Sequence, residues 1–204
     1  GCHMTLDPSA RDLSRKLSWL FTSPDSRYTL KEVVELTRCT RDDIQNWVRR
    51  DMVKPDATTP GRRIYSGATL ATLAVAAELR MQGASANYAL VDAHVITKTA
   101  LEWFAGRELD DRGLEPGETP TFERDFQEHM MVFFRKPADP NREPSEPGTT
   151  LLPGVLTLSI CHYKDVVNWF NRPMVQVLNL SGLWLELSMD AWDLKAPQLR
   201  RKGS

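Results

Sequence analysis

Arg41, Gln45, Asn46 and Arg49 share the outer side of a short amphipathic stretch whose inner positions are Ile44, Trp47 and Val48. The chemistry of that outer side is of one kind. A carboxamide can hydrogen-bond two-fold to the edge of adenine, and a guanidinium two-fold to the edge of guanine. Arg50 and Lys54 follow, and Arg62 and Arg63 come just after a Pro60-Gly61 turn, with Tyr65 two residues on. Cations placed beside such a helix suit phosphate oxygens, contacts that position a protein on a duplex and make its binding depend on salt. Thr40, at the head of the stretch, completes the candidate contact set.

The flanking sequence supplies the signals for the elements that would hold this face. Thr29 followed by Glu32 is a capping box, hydroxyl and carboxylate satisfying free N–H groups at a helix start. Leu30, Val33, Val34 and Thr37 then fall on one side of that helix. Arg38-Cys39 interrupts it, Thr40 caps a second helix, and Asp43 complements the positive end of the second helix's dipole. Pro55 forbids much continuation beyond Asp51-Met52. A turn-rich loop over 56–61 leads into Arg62-Arg63-Ile64-Tyr65 as a short extended piece. Ser66 caps a third helix, in which Leu70, Leu73, Ala74, Ala77 and Met81 recur at helical spacing until Gly83 ends it. Upstream, residues 9–21 read as a short helix carrying Leu13, Leu17 and Leu20. Downstream, residues 85–104 read as a helix with two apolar faces, Tyr88, Val91 and Val95 on one and Leu90, Ala93, Ala100 and Leu101 on the other, as if packed on both sides.

The whole-chain charge argues the other way at first. The 204 residues hold 26 Lys plus Arg against 27 Asp plus Glu, a net charge of −1, whereas nucleic-acid binders often carry a basic excess. The positions reverse the inference. Residues 38–63 hold seven basic and four acidic side chains, a surplus of three, while residues 102–147 hold twelve acidic and six basic ones. The near-neutral total conceals a basic helix pair followed by an acidic middle.

Other chemistry is not signalled. With 41% hydrophobic and 26% charged residues the composition is that of an ordinary globular chain. No apolar run reaches the roughly 18 residues of a membrane helix, so no membrane partner and a cytoplasmic location are expected. Residues 1–4 read as a cloning scar and start methionine, which removes Cys2 and His3 from any site. Cys39 and Cys161, far apart and without a CxxC, support neither a disulfide nor a zinc site. Cys161-His162 point to opposite faces of a strand, and Glu123, Asp125, Glu128 and His129 read as a solvated helix face. There is no Gly-rich phosphate loop and no GxSxG. No cofactor, no metal and no catalytic residue are expected, and the chain is not read as an enzyme.

The stretch Tyr28-Thr29-Leu30-Lys31-Glu32-Val33-Val34-Glu35-Leu36-Thr37, then Thr40-Arg41-Asp42-Asp43-Ile44-Gln45-Asn46-Trp47-Val48-Arg49-Arg50-Asp51-Met52-Val53-Lys54-Pro55, then Gly61-Arg62-Arg63-Ile64-Tyr65-Ser66, resembles the MerR-type winged helix-turn-helix regulators. So does the helix from Leu70 that ends in Met81-Gln82-Gly83-Ala84-Ser85. The resemblance covers residues 28–85 and rests on the aromatic Trp47, the proline Pro55 and the Arg-x-Tyr wing at Arg63-Ile64-Tyr65. Excisionase-type DNA-binding modules share most of these features. Two departures stand out: Gln45-Asn46 replace the family's Arg-Tyr, and Asp51 replaces a glycine, a substitution that Asp tolerates in left-handed geometry. The family's metal-sensing cysteines have no match. The resemblance implies transcriptional regulation as a homodimer on an inverted repeat of double-stranded DNA, with an RNA polymerase contact, in a bacterial setting.

The remainder changes character. Residues 130–134 and 155–160 read as strands, 174–180 and 183–187 as a hairpin around Ser181-Gly182, 165–170 as one helical turn, and 137–153 as a long proline-rich loop. Trp169, Phe170, Trp184 and Trp192 read as core, with a pocket for a small apolar effector or a protein interface as the alternative. The expected fold class is therefore α+β: an extension (5–27), an all-helical winged helix-turn-helix domain (28–84), a connecting or dimerisation helix (85–106), a linker (107–120) and a small β-rich effector or oligomerisation domain (121–204). Two other readings remain open beside the regulator: an excisionase-like accessory protein that bends DNA, and an interaction module whose winged helix does not bind DNA.

Overall fold

A helix that is apolar on every side belongs at the centre of a fold, and Gly67–Met81 (α4) is such a helix, with Leu70 to Ala77 and Leu79 all buried. The computed structural model describes residues 8–59, 62–105, 129–135, 149–152, 156–162 and 175–202, with side chains over 12–56, 62–102 and 177–199. Around α4 lie Pro8–Thr22 (α1), Leu30–Thr37 (α2), Ala86–Ala105 (α5) and Leu180–Lys202 (α6), each in contact with it. Arg41–Arg49 (α3) follows α2 after a three-residue turn. The core runs continuously from Leu17 and Leu20 of α1, through α4, to Trp184, Leu187 and Ala191 of α6.

The first half is not all helical, as the sequence reading had it. Arg27–Thr29 (β1), Ala57–Thr59 (β2) and Arg62–Ser66 (β3) form a small antiparallel sheet in the order β1-β3-β2. β1 escaped notice because Tyr28 and Thr29 also open the α2 capping box, and three residues carry no periodicity. Gly67 explains how tightly this sheet meets the helices. A Cβ there would lie 1.7 Å from the Leu20 carbonyl oxygen, and the close approach is fixed by Gly67 N–H donating to Ser26 O at 3.1 Å and Ser26 Oγ to Leu20 O at 2.7 Å.

A second antiparallel sheet comprises His129–Arg135 (β4), Thr149–Leu152 (β5), Leu156–His162 (β6) and Val175–Leu178 (β7), in the order β5-β6-β4-β7. β5 lies inside the segment read as a long loop, and His129 opens a strand rather than a helix face. The expected hairpin around Ser181-Gly182 is a helix start instead. The Asn179 side chain accepts Gly182 N–H at 2.8 Å and its carbonyl accepts Leu183 N–H at 3.0 Å. Leu180, Trp184, Leu187 and Ala191 then recur at helical spacing on the buried side, so tertiary burial overrides the local turn signal. The linker 107–120, the turn at 165–170, Trp169 and Phe170 lie outside the described residues. So do the acids read with His129, Glu123, Asp125 and Glu128.

On α5 the face of Ala89, Leu90, Ala93, Ile96, Ala100 and Leu101 is buried, whereas Tyr88 is 58% exposed and Val91 and Val95 are half-buried. One face of α5 is thus packed against α4, while the Tyr88, Val91 and Val95 face is only partly covered by the described residues. Among the buried residues of α5 is Asp92, 4% exposed, with Oδ1 lacking a described partner. Burial pushes its carboxyl up from an ordinary 3.8 to about 6. A raised native value means that the folded chain holds this proton more tightly than the unfolded one. The stability it contributes is therefore complete below about pH 3.8 and lost as pH rises through about 6. Asp92→Asn should raise the unfolding free energy at pH 7.5 by about 1–2 kcal/mol, with no gain at pH 3.5, in urea titrations at the two pH values. A loss at pH 7.5 would contradict the assignment.

Candidate nucleic-acid interface

The interface is built from two short helices and a strand pair, each closed by local hydrogen bonds. At the start of α2, Thr29 Oγ1 accepts Glu32 N–H at 3.4 Å and Thr29 N–H donates to Glu32 Oε2 at 2.7 Å, the expected capping box. Its far end turns on Arg38, a non-glycine residue at φ 61°. Thr37 Oγ1 stabilises that turn by donating to Val33 O at 2.7 Å and accepting Cys39 N–H at 3.2 Å. The Cys39 thiol is buried against the Leu73 carbonyl, and burial pushes it up to about 11, which makes it an inert packing group.

Thr40 caps α3 as its sequence position predicts, its Oγ1 accepting Asp43 N–H at 3.1 Å. Ile44 and Trp47 are buried, and Trp47 Nε1 donates to Ala86 O at 3.2 Å, tying the recognition candidate to the start of α5. At the C-terminus Asp51, at φ 56°, takes the left-handed place usually given to glycine. Asp51 N–H donates to Val48 O at 3.1 Å and Met52 N–H to Trp47 O at 2.9 Å, a complete Schellman closure.

Beyond it, β2 and β3 pair Thr59 with Arg62 and Thr58 with Arg63. Asp56 holds the base of this wing: its side chain accepts Ser66 N–H and lies 3.7 Å from the Arg27 guanidinium, while its own N–H donates to Ile64 O at 2.9 Å.

The ten residues singled out from sequence fall into three groups. Arg41, Asn46 and Arg49 are exposed and Gln45 half-buried on one side of α3, and Arg62 and Arg63 are exposed on the wing. Arg49 Nη2 donates to Asn46 Oδ1 at 2.6 Å, which leaves the amide N–H groups of the exposed Asn46 as donors. A second group is exposed but already engaged: Arg50 donates to Asn87 Oδ1 at 3.0 Å, Lys54 pairs with Asp51 at 3.4 Å, and the Thr40 hydroxyl is occupied as the cap. Tyr65 forms the third group alone. It is fully buried, opposite Tyr28 in the sheet. Burial raises its phenol, the Arg63 cation beside it offsetting part of the rise. Tyr65 therefore packs inside the small sheet instead of standing on the exposed surface with Arg62 and Arg63.

Several partnerships at the site carried no readable signal. Asp43 lies 3.7 Å from the Arg80 guanidinium, which comes from the end of α4, and Asp56 and Asn87 act through partners distant in sequence. Together these pairs settle the local electrostatics. Of the four acids among residues 38–63, Asp43, Asp51 and Asp56 each have a cation within 4.0 Å. Among the described residues no carboxylate pairs with Arg41, Arg49, Arg62 or Arg63. Three of the four acids are thus partly neutralised by a neighbouring cation, while Arg41, Arg49, Arg62 and Arg63 are exposed without a carboxylate partner among the described residues.

Helix, tight turn, helix and two-stranded wing, in this order and with this outward chemistry, define a winged helix-turn-helix. Residues 28–88 match the family described as MerR HTH family regulatory protein, so this segment is similar to the helix-turn-helix of that family. No curated protein matches the chain. Among the described residues no helix is long and apolar enough to cross a membrane.

Because Thr40 closes the helix that presents the contact residues, Thr40→Ala should lower the midpoint of thermal unfolding with a loss of about 1 kcal/mol. Thr40→Ser, which keeps the hydroxyl, should restore it. Equal loss in both variants would show that the methyl group and not the cap is what matters.

Proposed function

We propose that this chain is a sequence-specific, double-stranded-DNA-binding transcription regulator, a binding protein and not an enzyme, that lays α3 in the major groove and its arginine-bearing wing on the backbone. The observation that carries the reading is the outer side of α3. Gln45 and the Asn46–Arg49 pair stand there with free hydrogen-bonding capacity, next to an unpaired Arg41 and above a buried Ile44 and Trp47. In that role Arg41, Gln45, Asn46 and Arg49 read bases and nearby phosphates, while Arg50, Lys54, Arg62 and Arg63 meet the backbone, with Thr40 at the helix head. Arg50 and Lys54 would exchange their present partners for phosphates.

The finer organisation belongs to the same proposal. Residues 28–84 form the DNA-binding part, and residues 85–106 connect it to a second copy in a homodimer on an inverted repeat. The exposed Tyr88 and half-buried Val91 and Val95 on α5 support that contact. Residues 121–204 serve effector binding or oligomerisation, a small apolar molecule being the effector chemistry, and RNA polymerase is the further partner. The setting is bacterial and cytoplasmic.

Selection from fragmented genomic DNA with the purified full chain should return a defined palindromic site. On that site Gln45→Ala should change base preference at one position. Arg63→Ala should weaken all sequences alike and lower the slope of log affinity against log salt by about 1. Equal, salt-independent losses in both variants would overturn the role assignment. Light scattering should give twice the chain mass at micromolar concentration, and a strict monomer there would overturn the palindrome.

A further inference from the structure

The C-terminal helix reaches the helix-turn-helix at both ends of α2. Near its end, Lys195 Nζ lies 2.6 Å from Glu32 Oε1, in an ion pair whose side chains are 8% and 18% exposed, and 5.1 Å from the centre of the Tyr28 ring. The same carboxylate caps α2 through its other oxygen, 2.7 Å from Thr29 N and 3.1 Å from Thr29 Oγ1. Two turns and a half earlier in α6, Glu186 lies 4.0 Å from the guanidinium of Arg38, the left-handed residue on which α2 turns toward α3. α6 thus runs against α2 in the opposite chain direction, held firmly to its first turn through the buried Lys195–Glu32 pair and facing its C-cap through the exposed Glu186–Arg38 pair. Two edge-to-face ring contacts seat the helix on α1, Trp192 on Trp19 and Trp184 on Phe21, with centroids 5.1 Å apart in each. Its main contacts are with α1, α2, α4 and β4, and Arg41, Asn46 and Arg49 on the outer side of α3 remain exposed.

We propose that Lys195 and Glu186 are positioning residues for DNA recognition, and that the DNA-reading unit is discontinuous in sequence, completed by the C-terminal helix. The angle between α2 and α3 decides which base edges Gln45 and Asn46 reach. That angle is set at Arg38 and by the orientation of α2, the two features that α6 holds. Only Asn179 separates α6 from β7 of the second sheet, and Leu178 and Leu180 on either side of it are buried. The C-terminal half therefore has a short, stiff connection to the turn. Glu32 supports this arrangement electrostatically. Burial tends to raise its carboxyl, but the Lys195 ammonium and the Thr29 N–H outweigh burial and hold it below its ordinary 4.5.

The inference rests on the DNA-binding reading of α3, and its test keeps the two apart. In the full chain, Lys195→Met keeps the aliphatic stem and removes the cation, Lys195→Arg restores a cation, and Glu186→Gln cuts the exposed pair. Each variant is compared with the original chain for affinity to the selected site and to a scrambled duplex at one salt concentration. Hydrogen exchange of the Cys39 and Asp43 amides is followed without DNA. Lys195→Met should weaken specific binding tenfold or more and leave scrambled-duplex binding within twofold. It should also speed turn-amide exchange at least tenfold, and Lys195→Arg should recover most of each loss. A merely structural role would weaken both duplexes together, which overturns the proposal, as does unchanged turn exchange. If the original chain binds neither duplex, the DNA reading fails while the exchange data still decide the positioning role. Should Lys195→Met fail to fold, Glu186→Gln decides by the same pattern: severalfold faster turn exchange with a threefold specific loss supports the proposal, and unchanged exchange overturns it.

Discussion

A nine-residue helix has no stability of its own in water, so α3 exists only through what its inner side buries. Ile44 and Trp47 are that side, and truncation of a buried tryptophan alone costs about 3–5 kcal/mol. Much of the surrounding structure can be understood as the means of burying Trp47 without covering the residues beside it. α4 supplies the apolar body behind α2. The start of α5 supplies a carbonyl for the indole N–H, without which burial would leave a donor unsatisfied. The Trp47 carbonyl itself closes the helix by accepting Met52 N–H. One residue thus provides the anchor, a tie to the next helix and the stop.

Both ends of this arrangement use left-handed residues that are not glycine, Arg38 and Asp51. A side chain at positive φ carries a strain that neighbouring interactions must offset. At Asp51 the Schellman hydrogen bonds do so, and the carboxylate gains Lys54. At Arg38 the Thr37 hydroxyl bridges the turn and Glu186 faces the guanidinium. Each position keeps a charged side chain where glycine would give only freedom. The charge is therefore placed by the turn, at the edge of the surface that α3 presents.

The helix-turn-helix was legible because its signals are local. Caps at Thr29, Thr40 and Ser66, the stop at Gly83 and the inner pair Ile44 and Trp47 lie where spacing and cap chemistry place them. What stayed hidden depends on partners far along the chain. Three-residue β1 has no period to detect, Asp43 finds Arg80, and Lys195 finds Glu32 across the whole fold. Tyr65 shows the limit within a motif: its spacing from the arginines fits a contact role, yet it is fully buried at the end of the wing strand that packs on the helices, while Arg62 and Arg63 at the strand's start stay exposed. At Ser181-Gly182 the local turn signal was real but weak, and the apolar repeat that follows made it a helix.

The charge distribution ties these points to recognition. A surplus of only three positive charges over residues 38–63 gives little sequence-independent attraction to a polyanion, since that term scales with the phosphates neutralised. Discrimination must then come from hydrogen bonds to base edges, and those depend on the placement of short side chains. Gln45 and Asn46 reach less far than the arginines and lysines that meet phosphates, so an error in helix angle that a phosphate contact would tolerate removes a base contact. A weakly basic reader therefore needs a more firmly held helix than a strongly basic one. In this chain the buried indole, the closed helix ends and the grip of α6 on α2 meet that need.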